Sequence, residues 1–306
     1  MKYSSIQKYK KQFSLNWDLC LLSIPGLILL ILFSYVPMYG LTVAFKDFNI
    51  HKGIMQSPWI GFEHFAYLFS NKEFLRVIWN TIWISILKLF FAFPVPIIMA
   101  LMLNEMRNIR TKSVIQTFSY LPHFLSWVVV AGIFIDVLSL NSGIVNEIIE
   151  AIGGKAAFFM GDPKYFRSIL VISYIWKESG WESILYLAAI AGIDQELYQA
   201  ADIDGAGRFK KMWHITIKSI SSTIVILLVL KIGNLLSAGM DQVLVMYNPA
   251  VYDVSDIIDT FIYRVAFDRL EFGITTAAGL FKSVVGGLLL LLANGFARVI
   301  GEDGIF

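Results

Sequence analysis

Charge is scarce in this sequence. Aspartate, glutamate, lysine and arginine make up 16% of its 306 residues, while 57% are hydrophobic; a typical soluble domain carries about 25% charged residues. A water-soluble fold of this length has too little interior to hide that share of apolar side chains. The remaining charge is nearly balanced, at +2, so nucleic acid is not an expected partner, since binding phosphates takes a basic surface. Cysteine is reduced to one, Cys20, which excludes a disulfide framework. Its place inside an apolar run reads as a small core or lipid-facing residue. The histidines, His51, His64, His123 and His214, lie between or at the ends of apolar runs, where a solvated imidazole needs no special role. No G-x-x-x-x-G-K-[ST] occurs; Gly153-Gly154-Lys155 lacks the earlier glycine and the Ser/Thr. H-E-x-x-H, G-x-S-x-G and Cys/His metal-ligand spacings are also missing. No nucleotide, metal or other cofactor is therefore expected on this chain, and enzyme readings start weak.

Apolar length is what the chain has. Six runs, at roughly 19–38, 78–103, 114–138, 168–193, 215–236 and 275–299, approach or exceed the ~20 residues that cross a bilayer. The expected fold class is an all-α integral membrane protein: a cytoplasmic N-terminal segment, 1–18, then one six-helix transmembrane domain, 19–306. The first run, LLSIPGLILLILFSYVP, has no small-x-small site to end it and reads as a retained span, not a cleaved signal. Pro25, Pro37, Pro94, Pro96 and Pro122 sit in or beside these runs, which membrane helices tolerate; Pro94 and Pro96 are expected to kink the second. Gly279, Ser283 and Gly287 place small residues four apart in the last run, and Ala188 and Gly192 do so in the fourth, a pattern that permits close helix approach. No internal repeat is visible. Outside the runs, 61–74 and 255–267 carry apolar residues at helical spacing and read as short helices packed over the bundle.

Six crossings put both termini on one side. The N-terminus, the 104–113 link, the loop 194–218 and the C-terminus hold twelve lysines and arginines in about sixty residues. The other three connections hold nine in over a hundred. The denser set is expected in the cytoplasm.

The loop DQELYQAADIDGAGRFKKMWHITIK, 194–218, is longer than a connection needs. Asp194 can cap a helix starting at Gln195, with Leu197, Ala200, Ala201 and Asp204 near one face. Ala200 and Ala201 remove bulk, and Gly205 can end the helix at positive φ. Phe209, Met212, Trp213 and Ile217 then lead into the fifth run. Read from these residues alone, the loop suits equally a helix docked in a groove of a soluble partner and a surface helix touching lipid headgroups through Lys210 and Lys211.

QAADIDGAGRFKKMWHIT resembles the EAA loop of permease subunits of ATP-binding-cassette importers. The match rests on Ala200-Ala201, Asp204-Gly205-Ala206 and His214-Ile215-Thr216. YVPMYGLTVAFKDFN, YLPHFLSWVVVAGIF, NPAVYDVSDIIDTFIYR and TTAAGLFKSVVGGLLLLLAN extend it along nearly the whole chain. They are similar to the carbohydrate-uptake branch of type I importers, and within it to the oligosaccharide and polysaccharide group. The resemblance implies a type I importer permease fold in a bacterial plasma membrane. It implies an oligosaccharide substrate and partners: a second six-helix permease, a pair of cytoplasmic ATPase subunits that use ATP and Mg, and an external solute-binding lipoprotein. It also implies that Gln199, Ala200, Ala201, Asp204, Gly205 and Ala206 form a coupling helix seated in the ATPase. Two positions depart from the pattern. Gln199 stands where the family has glutamate, and Lys218 where it has proline after I-T-L.

Lys88, Lys177, Glu178, Glu182, Lys231 and Lys282 fall inside the runs, where ionisable groups are costly, and Asp136 lies near an outer end. YIWKESGWESILY is the densest stretch. Acids beside aromatic rings suit a sugar, whose hydroxyls take hydrogen bonds while its C–H face packs on a ring. Tyr174, Trp176, Glu178, Trp181 and Glu182, with Lys88 and Lys231, are the expected lining of a passage. The bland reading is that these charges pair, for example Glu178 with Lys231 or Lys88, and hold the bundle together. A proton-coupled secondary transporter using Glu178 and Glu182 as carriers is the alternative function.

Overall fold

The computed structural model describes residues 16–299, 301 and 304. The expected N-terminal segment, the side chain of Cys20 and most of the C-terminus lie outside them. All regular structure among the described residues is helical; strand geometry is confined to one isolated bridge, Lys46 to Trp59.

Helix α1, Trp17–Leu30, continues through a π turn and a 3-10 segment to Phe45, forming one 29-residue apolar rod. It stands off the bundle: Leu22 and Phe33 are 76% and 75% exposed, and its buried residues, Val43 and Ala44, lie in the 3-10 segment at its end. Helix α2, Glu63–Ser70, packs over the bundle as its spacing predicts. Helix α3, Lys72–Leu87, is capped by Asn71, which accepts from Glu73 N at 2.8 Å. It passes through a π turn, Lys88–Ala92, into α4, Pro94–Glu105. Together they make one 34-residue span. The expected proline kink is thus a π turn: the widened turn before Pro94 accommodates a residue with no N–H to give.

The third expected span is broken. Helix α5, Ile109–Tyr120, runs on to Phe124, and α6, Trp127–Val137, leaves at 104°. Leu125 is extended, and Ser126 caps α6 by accepting from Val129 N at 3.3 Å. Helix α7, Pro163–Ala191, is capped by Asp162 and spans 29 residues, about 43 Å at 1.5 Å per residue. Helix α8, Gln195–Ile203, and the short α9, Arg208–Lys211, form the loop. Helix α10, Ser221–Gly233, meets the end of that loop at 58°. Helices α11, Met240–Met246, and α12, Ile258–Asp268, precede α13, Phe272–Val299.

Among the described residues, three helices are long and apolar enough to cross a membrane, or up to five if each bent pair is one span. Helix α7 has the length, but Lys177, Glu178 and Glu182 interrupt its apolar character.

Helix α7 is the central element. Its N-terminal half supplies Phe166, Ile169 and Leu170 to a core with Val243, Met246 and Ile257. Its C-terminal end supplies Tyr186 and Ile190 to another with Ala100, Leu101, Ile193 and Ile220. The third core joins Phe74 and Val77 of α3 to Phe261 of α12 and Ala277 of α13. The close approaches differ from the expected small-residue stripes. Gly287 has open space around it, while a Cβ on Gly286 would lie 3.1 Å from Gly233 O of α10. On α7 the tight position is the buried Gly180, where a Cβ would collide with the main-chain carbonyl of Ser119. Gly180 lets α5 touch α7.

Candidate functional site

The ionisable residues form two clusters along α7. The first walls a cavity of about 370 Å³ between the α3–α4 π turn, α7 and α10. Lys88, the first residue of the π turn, donates to Ala238 O at 2.6 Å and to Gln242 Oε1 at 2.5 Å. Tyr174 lines the cavity beside it, with the Lys88 ammonium 4.9 Å from its ring centroid. Lys231 of α10 approaches the same ring at 5.2 Å, donating to Tyr174 Oη at 2.8 Å and Glu182 Oε1 at 2.5 Å. The Tyr174 hydroxyl donates to the same Glu182 oxygen at 2.8 Å.

The second cluster lies at the break between α5 and α6. Glu178 forms an ion pair with Lys177 at 3.1 Å and bonds His123 Nδ1 at 2.7 Å. The His123 ring stacks on Trp181, with centroids 4.5 Å apart and an interplanar angle of 1°. Lys177, only 5% exposed, donates to His123 O at 2.6 Å.

Of the expected passage residues, Lys88, Tyr174 and Lys231 therefore line one cavity, and Glu182 is bonded to the last two. Glu178 and Trp181 belong to the neighbouring cluster, and Trp176 packs edge-on to Phe134, 6.0 Å away. The charges do pair, but not as the sequence reading supposed: Glu182, not Glu178, takes Lys231, and Glu178 takes its own neighbour. His123, expected to be merely solvated, is a structural partner. Gln242, fully buried, ties Lys88 to α7 through Leu170 O at 2.7 Å and Ser173 Oγ at 2.8 Å. Nothing local distinguishes Gln242 in the sequence. His123 had a weak signal, its place beside Pro122 in an interrupted apolar run.

The loop is a second site. Asp194 caps α8, accepting from Glu196 N at 2.9 Å. At the other end Ala206 N donates to Ala201 O at 2.9 Å and Gly205 N to Asp202 O at 3.1 Å. That paired closure requires a left-handed residue, and Gly205 has φ +70°. Gln199, Ala200, Asp204 and Gly205 are exposed; Ala201 and Ala206 are half-buried. Lys211 bonds Asp202 at 2.6 Å, and Tyr198 meets Thr216 at 2.9 Å, fastening α8 to the base of α10. The exposed side is not only small and polar, as expected: Ile203 and Phe209 are 88% and 83% exposed.

Comparisons with known proteins agree with these features. Residues 92–301 match the family model described as binding-protein-dependent transport system inner membrane component. Protein LplB of Bacillus subtilis strain 168 is 45% identical over 94% of this chain and 91% of its own length. The polygalacturonan/rhamnogalacturonan transport system permease protein YteP of the same strain is 43% identical over 94% and 90%. Among solved structures, a chain of the bacterial alginate ABC transporter in complex with an alginate pentasaccharide-bound periplasmic protein superposes with a TM-score of 0.89. It is 40% identical and covers 96% of this chain and 99% of that one. The chain belongs to the family of binding-protein-dependent transport system inner membrane components, and it is a membrane permease.

Proposed function

We propose that this permease is the membrane-spanning subunit of an ATP-driven oligosaccharide importer in a bacterial plasma membrane. It forms half of the translocation pathway, while ATP and Mg are used by a separate ATPase pair. The substrate class follows the relatives, one named for polygalacturonan and rhamnogalacturonan transport and one solved as an alginate transporter. The supporting feature of the chain itself is the α8 foot. It is fastened at both ends, and it holds Ile203 and Phe209 in solvent beside Ala200 and Asp204. Apolar side chains held out on a rigid turn suit a partner's groove. In this reading α8 through Ala206 carries ATPase motion into α7 and α10, because the core of Tyr186, Ile193 and Ile220 joins the base of the foot to both helices.

The same reading makes α7 a crossing too, the fourth of six, its charges paired within the protein, and puts both termini and the foot in the cytoplasm. It supplies a second permease and lipid to cover α1, and an external solute-binding lipoprotein to deliver the sugar. The proton-coupled alternative is disfavoured because Glu178 and Glu182 are each already bonded to a lysine.

The test is uptake by proteoliposomes holding the complete transporter. Oligosaccharide should accumulate only with ATP on the foot's side and with binding protein on the other. Uptake that persists without ATP and collapses with the proton gradient overturns the proposal.

A further inference from the structure

Lys88 is set apart from the other spanning charges. Glu182 answers Lys231 and Glu178 answers Lys177. Among the described residues, no carboxylate stands within ion-pair distance of the Lys88 ammonium; its two acceptors are the neutral Ala238 carbonyl and the Gln242 amide oxygen. An ammonium has three N–H donors, so one remains, and no ion pair answers it. A cation in a spanning region is expensive unless it has a partner.

Two further observations lie at the same cavity. Ser85, one turn before Lys88, lines it; it is only 8% exposed, and its Oγ has no hydrogen-bond partner among the described residues. Buried hydroxyls are ordinarily satisfied. On the opposite side Gly239 holds φ +98°, and a Cβ there would lie 3.0 Å from Lys88 Nζ. The glycine leaves the ammonium clear on the side where any side chain would crowd it. The ammoniums of Lys88 and Lys231 both lie over the Tyr174 ring, which also lines the cavity.

We propose that this cavity is a station for the carboxylate-bearing units of an acidic saccharide: Lys88 takes the carboxylate and Ser85 Oγ a sugar hydroxyl. Lys88 is then a specificity-determining residue. The proposal rests on the importer reading and narrows it from oligosaccharides to uronate-containing ones.

The experiment is equilibrium binding to the complete permease–ATPase complex in nanodiscs, without binding protein, so that selection by that partner does not enter. The probes are trigalacturonate and galactotriose, which differ in their carboxylates. The wild type should bind the acidic trimer about tenfold more tightly, the effect of one charge-assisted hydrogen bond. Lys88→Arg should keep the preference. Lys88→Met should lose it and bind both trimers about equally. Ser85→Ala should weaken both modestly. Equal binding by the wild type overturns the proposal, as does a preference that survives in Lys88→Met, or a parallel loss of both trimers in that variant. The proteoliposome assay separates the two readings. ATP-driven uptake without charge preference in binding overturns only this inference; absence of any ATP-driven uptake overturns both.

Discussion

Lys177 Nζ donates to the main-chain carbonyl of His123 at 2.6 Å, joining the middle of α7 to the break between α5 and α6. The same ammonium lies 5.4 Å from the Trp127 ring centroid and 3.1 Å from Glu178. One buried cation thus holds the broken span against the central helix. Lys177→Met removes the cation and leaves Glu178 with only His123. Loss of one partner of a buried pair costs about 3 kcal/mol or more. The expected outcome is a clear fall in the thermal unfolding midpoint of the purified protein in detergent, larger than that from Lys218→Met, whose side chain is exposed.

The contact next to that tether is equally specific. A methyl on Gly180 would strike the backbone carbonyl of Ser119, which cannot rotate away as a side chain can. Gly180→Ala is expected to push α5 off α7 and to lower stability, against the gain of about 1 kcal/mol that alanine normally brings to a helix interior. Gly287→Ala, with nothing within 4 Å, is the matched control and should be neutral or stabilising. Equal midpoints for the two variants would show that the α5–α7 approach carries no strain limit.

Features set by neighbours in sequence were legible. The apolar runs, the Asp194 cap and the Gly205 turn all follow from residues a few positions apart. Features set by helix rotation were not. The spacing of Glu178 and Glu182 puts them on one face but does not say which lysine each meets. Only the packing of α10 on α7 brings Lys231 to Glu182 instead. Nor did the run at 114–138 disclose its 104° break. Pro122, His123 and Ser126 interrupt it without fixing an angle, and the bend is held by a bond from Lys177, over fifty residues away. Trp176 looked like its neighbours in YIWKESGWESILY but lies on a different side of α7, against Phe134.

A third network fixes the connection before α13. Arg264 of α12 donates to Asp256 Oδ1 at 3.0 Å and Oδ2 at 2.6 Å, and to Glu73 at 2.8 Å. The hydrogen bonds to Asp256, outweighing burial, hold the guanidinium above its usual range, so its charge is fixed at any working pH. Asp256 is 1% exposed. Arg264→Lys keeps the charge but not the two-pronged geometry and should cost roughly 1–3 kcal/mol. In a double-mutant cycle with Asp256→Asn, the two losses should fall well short of adding, since both remove one interaction. Additive losses in thermal or denaturant unfolding would mean that the pair is not coupled.

Gly205 tests the foot without touching the pathway. Its φ of +70° serves the closure of α8, and nothing stands within 4 Å of a Cβ built there. Any loss on substitution therefore comes from the backbone, not from a clash within this chain. A β-branched residue resists that conformation by about 1–2 kcal/mol. Gly205→Val should shift the turn and the exposed Ile203 beside it while leaving the bundle's unfolding midpoint nearly unchanged, because α8 contributes no buried residue to the cores. The coupling reading then expects weaker co-purification with the ATPase, or ATP hydrolysis that no longer drives uptake, while saccharide binding in the Lys88 cavity stays at the wild-type level. Gly205→Ala should fall between the two. Full ATP-driven uptake by Gly205→Val, with the midpoint unchanged, would remove the foot from the mechanism.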